Sequence, residues 1–431
     1  MCLMSVLLGC ASTGPLDLPA QEDPYYDGPL PRFTDQVYSP TVRTVQLYKQ
    51  GFALSQPILE LGSGDRLELH FDDLQDQAEY LSYTLVHCDA DWRPSDVPKG
   101  QYLEGAFTDY LPPPRLSFNT LQPYFHYALE VPNDRMRPTR SGNYLLKVFR
   151  DNDEEDLVLT RRLLVFEQQV WIDTQVQASR NVEERNSAQQ LDLTIRYPGL
   201  DVPDPFGDLR VVALQNMRWD AAHSGFKPRF VRTNELIYDF PDAGLFPGNN
   251  EWRNFDVKDL RFRHQQVASI VNGPRLTDVF LVPDTKRNIR VYFEQPDING
   301  RYLVQHVEFD DADRNADYVN VHFTLKLDAP LYGGGVYVYG ALSDFQCRKE
   351  LRMTWDRERE LYHLTVPLKQ GFYDYAYAFL PDGSEVSDLT RLEGSHFQTE
   401  NEYLVLVYFT DYQLRMQRLV GLRSFATRMR N

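Results

Sequence analysis

The chain has 431 residues, is 13% aromatic and 25% charged, and carries a formal net charge of −17 at pH 7. At roughly 100–200 residues per domain this length predicts two to four domains, ample to bury several cores. So acidic a chain repels nucleic-acid phosphates, and no Lys/Arg cluster stands against that, so nucleic acid is set aside as a partner.

The 26 Tyr and 25 Phe favour strands, where a flat ring packs on a half-buried pleated surface. The 27 Pro and 24 Gly are spread along the chain, as frequent turns require. Long helical windows rich in Ala, Glu, Lys, Leu and Arg are missing. These features predict an all-β protein of tandem immunoglobulin-like β-sandwich domains.

Residues 1–10, M-C-L-M-S-V-L-L-G-C, hold an apolar run that ends in L-L-G-C. This resembles a bacterial lipobox, where cleavage before Cys10 leaves its sulfur to carry a diacylglycerol. Small Gly9 is what a peptidase pocket needs just before the cut. The segment is too short to span a bilayer, and it lacks a positive n-region, so the expectation is a lipoprotein signal whose start lies upstream of Met1. A multiply acylated Cys10 would be held stably at a membrane surface. Residues 11–34 are Pro-rich and acidic and predict an extended tether. No later stretch reads as a transmembrane helix. Cys88 and Cys347 lie far apart and are expected to be separate, mostly buried thiols.

A first sandwich is expected over 35–168. Residues 67–72, L-E-L-H-F-D, alternate strictly. Strands at 80–87, 124–131, 143–149 and 157–166 follow, the last two joined by the acidic tip 151–156. About seven short strands are what such a sandwich requires. A second sandwich is expected over 169–317, with strands at 191–197, 209–214, 237–238, 279–282 and 289–293. Near its end Asp311, Asp313, Asn315 and Asp317 alternate like the start of a calcium loop. Ala316 stands where an EF-hand loop needs Gly, however, and His322 where it needs the bidentate Glu. The expectation there is a solvated linker. The third region, 318–431, is the most periodic, with strands at 319–323, 336–340, 363–368, 373–379 and 403–409. It resembles early-set immunoglobulin-like modules, among them starch-binding domains.

Chemistry is sparse. No G-x-S-x-G, C-x-x-C, H-E-x-x-H or phosphate-cradling Gly loop occurs. Cys88 has His87 beside it, but adjacent strand residues point to opposite faces and make a poor catalytic pair. No catalytic residue, metal site or cofactor is predicted. The rival reading is an outer-membrane-associated lipoprotein that binds polysaccharide through Phe345, Trp355 or nearby tyrosines. The Trp that starch-binding modules place a few residues after the first Gly is missing.

Residues 83–92, Y-T-L-V-H-C-D-A-D-W, carry the most informative pattern. Asp89 and Asp91 read as acceptors for turn N–H groups, and Trp92 as a core filler. The stretch resembles the signature of the type IX secretion system plug protein family. Further segments fit in order: S-F-N-T with Asn119, V-P-N with Asn133, and S-G-N-Y with Gly142, Asn143 and Tyr144. Residues 248–256 and 393–401 are similar to the family's later regions. The resemblance marks His87, Cys88, Asp89, Asp91 and Trp92 as structural motif residues. It implies a non-enzymatic, all-β periplasmic protein that associates with a large outer-membrane β-barrel translocon; the lipid tether is the separate expectation from Cys10. Such proteins close the barrel's periplasmic opening when no cargo is in transit.

Overall fold

Strands form where side chains alternate or where branched and aromatic residues run together. The computed structural model describes residues 25–26, 32–239 and 244–427. Cys10 and most of the expected tether lie outside them.

In the first sandwich, one sheet runs Gln36–Val37, Leu157–Phe166, Gly142–Arg150, Leu81–Cys88 and Asp109–Tyr110, with Ile58–Glu60 parallel to Leu157–Phe166. The other runs Val42–Lys49, Leu67–Asp73, Phe125–Val131 and Arg115–Leu116. Leu67, Leu69, Phe71 and Leu129 meet Leu85, Leu146 and Val148 in one core. The Tyr144 hydroxyl donates to the Arg140 carbonyl at 2.8 Å, the tyrosine corner of immunoglobulin-like sandwiches. Tyr373 repeats it on the Lys369 carbonyl at 2.6 Å in the third sandwich.

The second sandwich sets the sheet Trp171–Ala178, Ala188–Arg196, Glu235–Tyr238 and Phe230–Arg232 against another of Leu209–Gln215, Glu402–Asp411 and Met416–Ala426. Its core joins Leu191, Leu193, Ile195 and Val211 to Tyr403, Val405, Val407 and Val420. The third sandwich lies between these two parts of the chain. Its sheets centre on Gly371–Pro381 and on Tyr318–Lys326 with Leu361–Lys369, around Phe255, Val279, Phe323, Val338 and Tyr375. The expected division at 317/318 therefore does not follow the sheets. The third sandwich starts with Arg253–Asp256 and is inserted in the second, which the last two strands complete. Alternation gives each residue a face but does not name the partner strand.

Three further expectations change. The run 289–293 pairs with no strand, and Ile289, Val291 and Phe293 stay 84%, 91% and 77% exposed. A period of two becomes a strand only beside a free edge. The acidic segment is tied down instead of solvated: Ala312–Asn315 makes one helical turn, and Asp317 accepts the Leu121 N–H at 2.8 Å. The tether is partly docked, since the Tyr25 hydroxyl accepts the Cys347 N–H at 2.8 Å and the Tyr26 and Tyr337 hydroxyls pair at 2.5 Å.

One buried carboxyl gives the fold a pH dependence. Asp374 sits inside the strand Gly371–Pro381. One of its oxygens accepts the Ile298 and Gly300 N–H groups at 2.6 and 3.1 Å, and the other is buried without a partner. Burial, with Asp297 nearby, pushes its pKa up to about 8. The folded chain thus holds this proton more tightly than the unfolded chain, whose Asp titrates near about 4. Stability from this group is full below that value and falls as pH rises toward 8, by up to about 1.4 kcal/mol per pH unit. Chemical denaturation at pH 5 and pH 8 is expected to show a smaller difference for Asp374→Asn than for the parent. An equal difference would mean that Asp374 ionises normally.

Candidate functional site

The motif residues gather where the first sandwich meets the second. His87 and Cys88 leave the strand Leu81–Cys88 on opposite faces. The His87 ring turns into the first sandwich, 5.6 Å from the Tyr102 ring and 5.1 Å from Tyr144. Its Nε2 lies 3.1 Å from the Ser141 carbonyl, which can only accept, so Nε2 carries the proton. Nδ1 then accepts from the Ser95 hydroxyl at 2.7 Å. Gly142 has φ +151°, and a Cβ there would stand 2.1 Å from His87 Nε2. The ring's seat therefore requires glycine. Burial lowers His87 to about 4 and raises the Cys88 thiol to about 12. Neither group is poised for proton transfer or nucleophilic attack near neutrality.

The 89–92 turn does different work from what the sequence suggests. Only Asp89 caps it, accepting the Asp91 and Arg93 N–H groups at 2.8 and 2.9 Å. Asp91 reaches across to Arg210 of the second sandwich, at 2.6 Å to Nη1. Trp92, at φ +62°, fills the seam between two sandwiches and not the core of one. Its ring meets Trp219 edge-to-face at 5.0 Å, and Arg162 lies 4.3 Å over it. Both partners are worth more here than at the surface, because the seam is desolvated. Asn143 ties the seam from the other side: its amide donates to the Asp89 carbonyl at 2.8 Å and its oxygen accepts from Tyr408 at 2.7 Å. Cys88, Ala90, Leu145 and Leu164 face Val212, Leu214, Leu404 and Leu406 across it. Central strands of both sheets are thus buried on both faces, which is why 404–408 reads as continuous L-V-L-V-Y.

Asn133 and Asn119 lie elsewhere. Asn133 bridges a turn, donating to Tyr83 Oη at 2.8 Å and accepting the Arg135 and Met136 N–H groups. Asn119 is exposed at φ +60°, in the turn whose Phe118 N–H donates to the Arg314 carbonyl at 2.8 Å.

A second seam, between the first and third sandwiches, carries charges that the sequence reading missed. Asp72 and Lys369 are both 1% exposed and pair at 2.6 Å. Asp72 also accepts from Tyr318 Oη at 2.8 Å and from His126 Nδ1 at 2.8 Å. Lys369 donates to the Asp313 carbonyl at 2.8 Å and lies 4.2 Å from the Tyr124 ring centre. Lys369, with the hydrogen bond from His126, holds Asp72 below the usual carboxylate range against its burial. Nearby, Arg161 and Arg348 converge on Asp344 at the wall of a cavity of about 510 Å³. A polar contact joins the second and third sandwiches as well: Arg218 donates to the Ser387 carbonyl at 2.6 Å. The only early sign of the charged seam was an Asp closing the run L-E-L-H-F-D.

The aromatics of the polysaccharide reading are taken up by packing. Phe345 lies against Trp252 and Tyr339, and half-buried Trp355 meets Tyr362 edge-to-face at 4.9 Å.

The model of the first domain of the type 9 secretion system plug protein matches residues 42–167, which form the first sandwich and its part of both seams. The chain belongs to the type IX secretion system plug family. Its fold matches the crystal structure of a hypothetical protein from Parabacteroides merdae ATCC 43184 at 30% identity and a TM-score of 0.89, covering 92% of this chain and 100% of that one. A trypsin-activated alpha-2-macroglobulin from Escherichia coli aligns at only 8% identity and a TM-score of 0.17, over 89% of this chain and 23% of that one. No curated protein matches. Membership places this plug-family chain in type IX secretion. Among the described residues no helix is long and apolar enough to cross a membrane.

Proposed function

We propose that the chain is a non-enzymatic plug, tethered to the periplasmic face of the outer membrane by lipid on Cys10. It closes the periplasmic opening of a large β-barrel translocon when no cargo is in transit. The observation that carries this reading is the plug-family match over 42–167. The packing supports it. A stopper must resist deformation, and three sandwiches fixed to one another by buried aromatic and ionic groups behave as one body, not as beads on a string. The buried states of His87 and Cys88 fit a role without catalysis.

Affinity purification from solubilised outer membranes tests the reading. A large β-barrel is expected to co-purify with the chain, and recovery of the chain alone would count heavily against it. In the same preparation Cys10→Ala is expected to move the chain to the soluble fraction. Membrane attachment unchanged by that substitution would remove the lipid tether.

A further inference from the structure

Beside the charged seam three metal-ligating side chains converge. His70 Nδ1 lies 3.1 Å from His126 Nε2, and one Asp313 carboxylate oxygen lies 3.6 Å from each. Ligands held at about 2.0–2.1 Å around a tetrahedral zinc ion stand about 3.3–3.4 Å apart. The triangle of donors is therefore the size of one face of such a site.

The hydrogen bonds behind the donors favour the same reading. His126 Nδ1 is 2.8 Å from Asp72, a carboxylate held by Lys369 and Tyr318. The proton on that nitrogen leaves the Nε2 lone pair aimed at the centre. A carboxylate behind a ligating imidazole fixes its tautomer and raises its basicity. His70 stacks on Tyr48 at 5.3 Å. Its far nitrogen, Nε2, is buried without a hydrogen bond, 3.8 Å from a Glu68 oxygen. If the two imidazoles merely hydrogen-bonded to each other, His126 Nε2 would be the acceptor and His70 Nδ1 the donor. His70 Nε2 would then be a bare lone pair facing a carboxylate. A cation at the centre reverses this: Nδ1 becomes the ligand, and Nε2 carries a proton toward Glu68.

We infer that His70, His126 and Asp313 form a zinc-type divalent cation site across the seam between the first and third sandwiches. Two imidazoles and one carboxylate suit zinc among the common divalent ions. Asp313 is 38% exposed, which gives the ion an entry path and leaves the fourth position to solvent. Two ligands come from adjacent strands of the first sandwich, and Asp313 from the helical turn just before the strand Tyr318–Lys326 of the third sandwich. The ion would pin one sandwich to the other.

The test uses the tag-free full chain, stripped with a chelator, dialysed and titrated with zinc chloride. Calorimetry is expected to show one equivalent bound, and thermal unfolding to show a higher Tm with zinc than without. Asp313→Asn and His70→Gln are each expected to weaken binding at least tenfold and to abolish the zinc-dependent rise in Tm. Asp313 is half-exposed, so its variant is expected to fold with an unchanged circular dichroism spectrum and decides the matter if His70→Gln does not fold. No zinc binding by the parent chain, or equal binding by the folded Asp313→Asn variant, would overturn the inference.

Discussion

Replacing Trp92 by alanine is expected to cost about 3–5 kcal/mol of stability, the range for truncating a buried aromatic. The ring is only 5% exposed, and its loss opens a cavity at a seam instead of within one core. Trp219 would lose its edge-to-face partner and half-buried Arg162 one of its two aromatic faces. Nearby strands cannot close the gap easily, because Asn143 and Tyr408 fix the same seam by hydrogen bonds. Chemical denaturation of Trp92→Ala beside Trp92→Phe would measure this, with phenylalanine expected to retain part of the loss. An alanine variant as stable as the parent would mean that the stretch 83–92 does not hold the sandwiches together and is free to be a binding surface.

Lys369→Met is expected to be comparably damaging, at about 3–5 kcal/mol, because it leaves the Asp72 charge buried beside fewer compensating groups. The lysine stem would be replaced at similar volume, so little of the loss would come from packing. The lost terms are the 2.6 Å contact to Asp72 and the 2.8 Å bond to the Asp313 carbonyl. Adding Asp72→Asn removes the stranded charge, so the double variant is expected to recover part of the stability. The cycle is read by chemical denaturation. A single variant costing under about 1 kcal/mol, or a double variant worse than the sum of both singles, would contradict a buried ion pair that holds the first and third sandwiches together.

Much of the strand content was legible, since alternation is a local property. L-E-L-H-F-D became Leu67–Asp73, and the tyrosine-rich run at 373–379 became part of Gly371–Pro381. What alternation could not supply was partnership. The hairpin of Glu402–Asp411 and Met416–Ala426 follows the third sandwich in sequence yet completes the second, and nothing local in L-V-L-V-Y distinguishes the two outcomes. The run at 289–293 shows the converse, a good strand pattern with no edge to join. The motif 83–92 was found as a pattern, but its role depends on Trp219, Arg210 and Tyr408, all distant in sequence. His70, His126 and Asp313 were invisible as a group for the same reason, since three single residues on separate elements leave no spacing to read.

The most direct test of the plug itself is electrical. Translocon barrels purified with and without this chain would be reconstituted in planar bilayers and their single-channel conductance compared. Low conductance with the chain bound, and large stepwise currents once it is absent, is the predicted result. Equally large currents in both preparations, with the chain verifiably attached to the barrel, would contradict a plug.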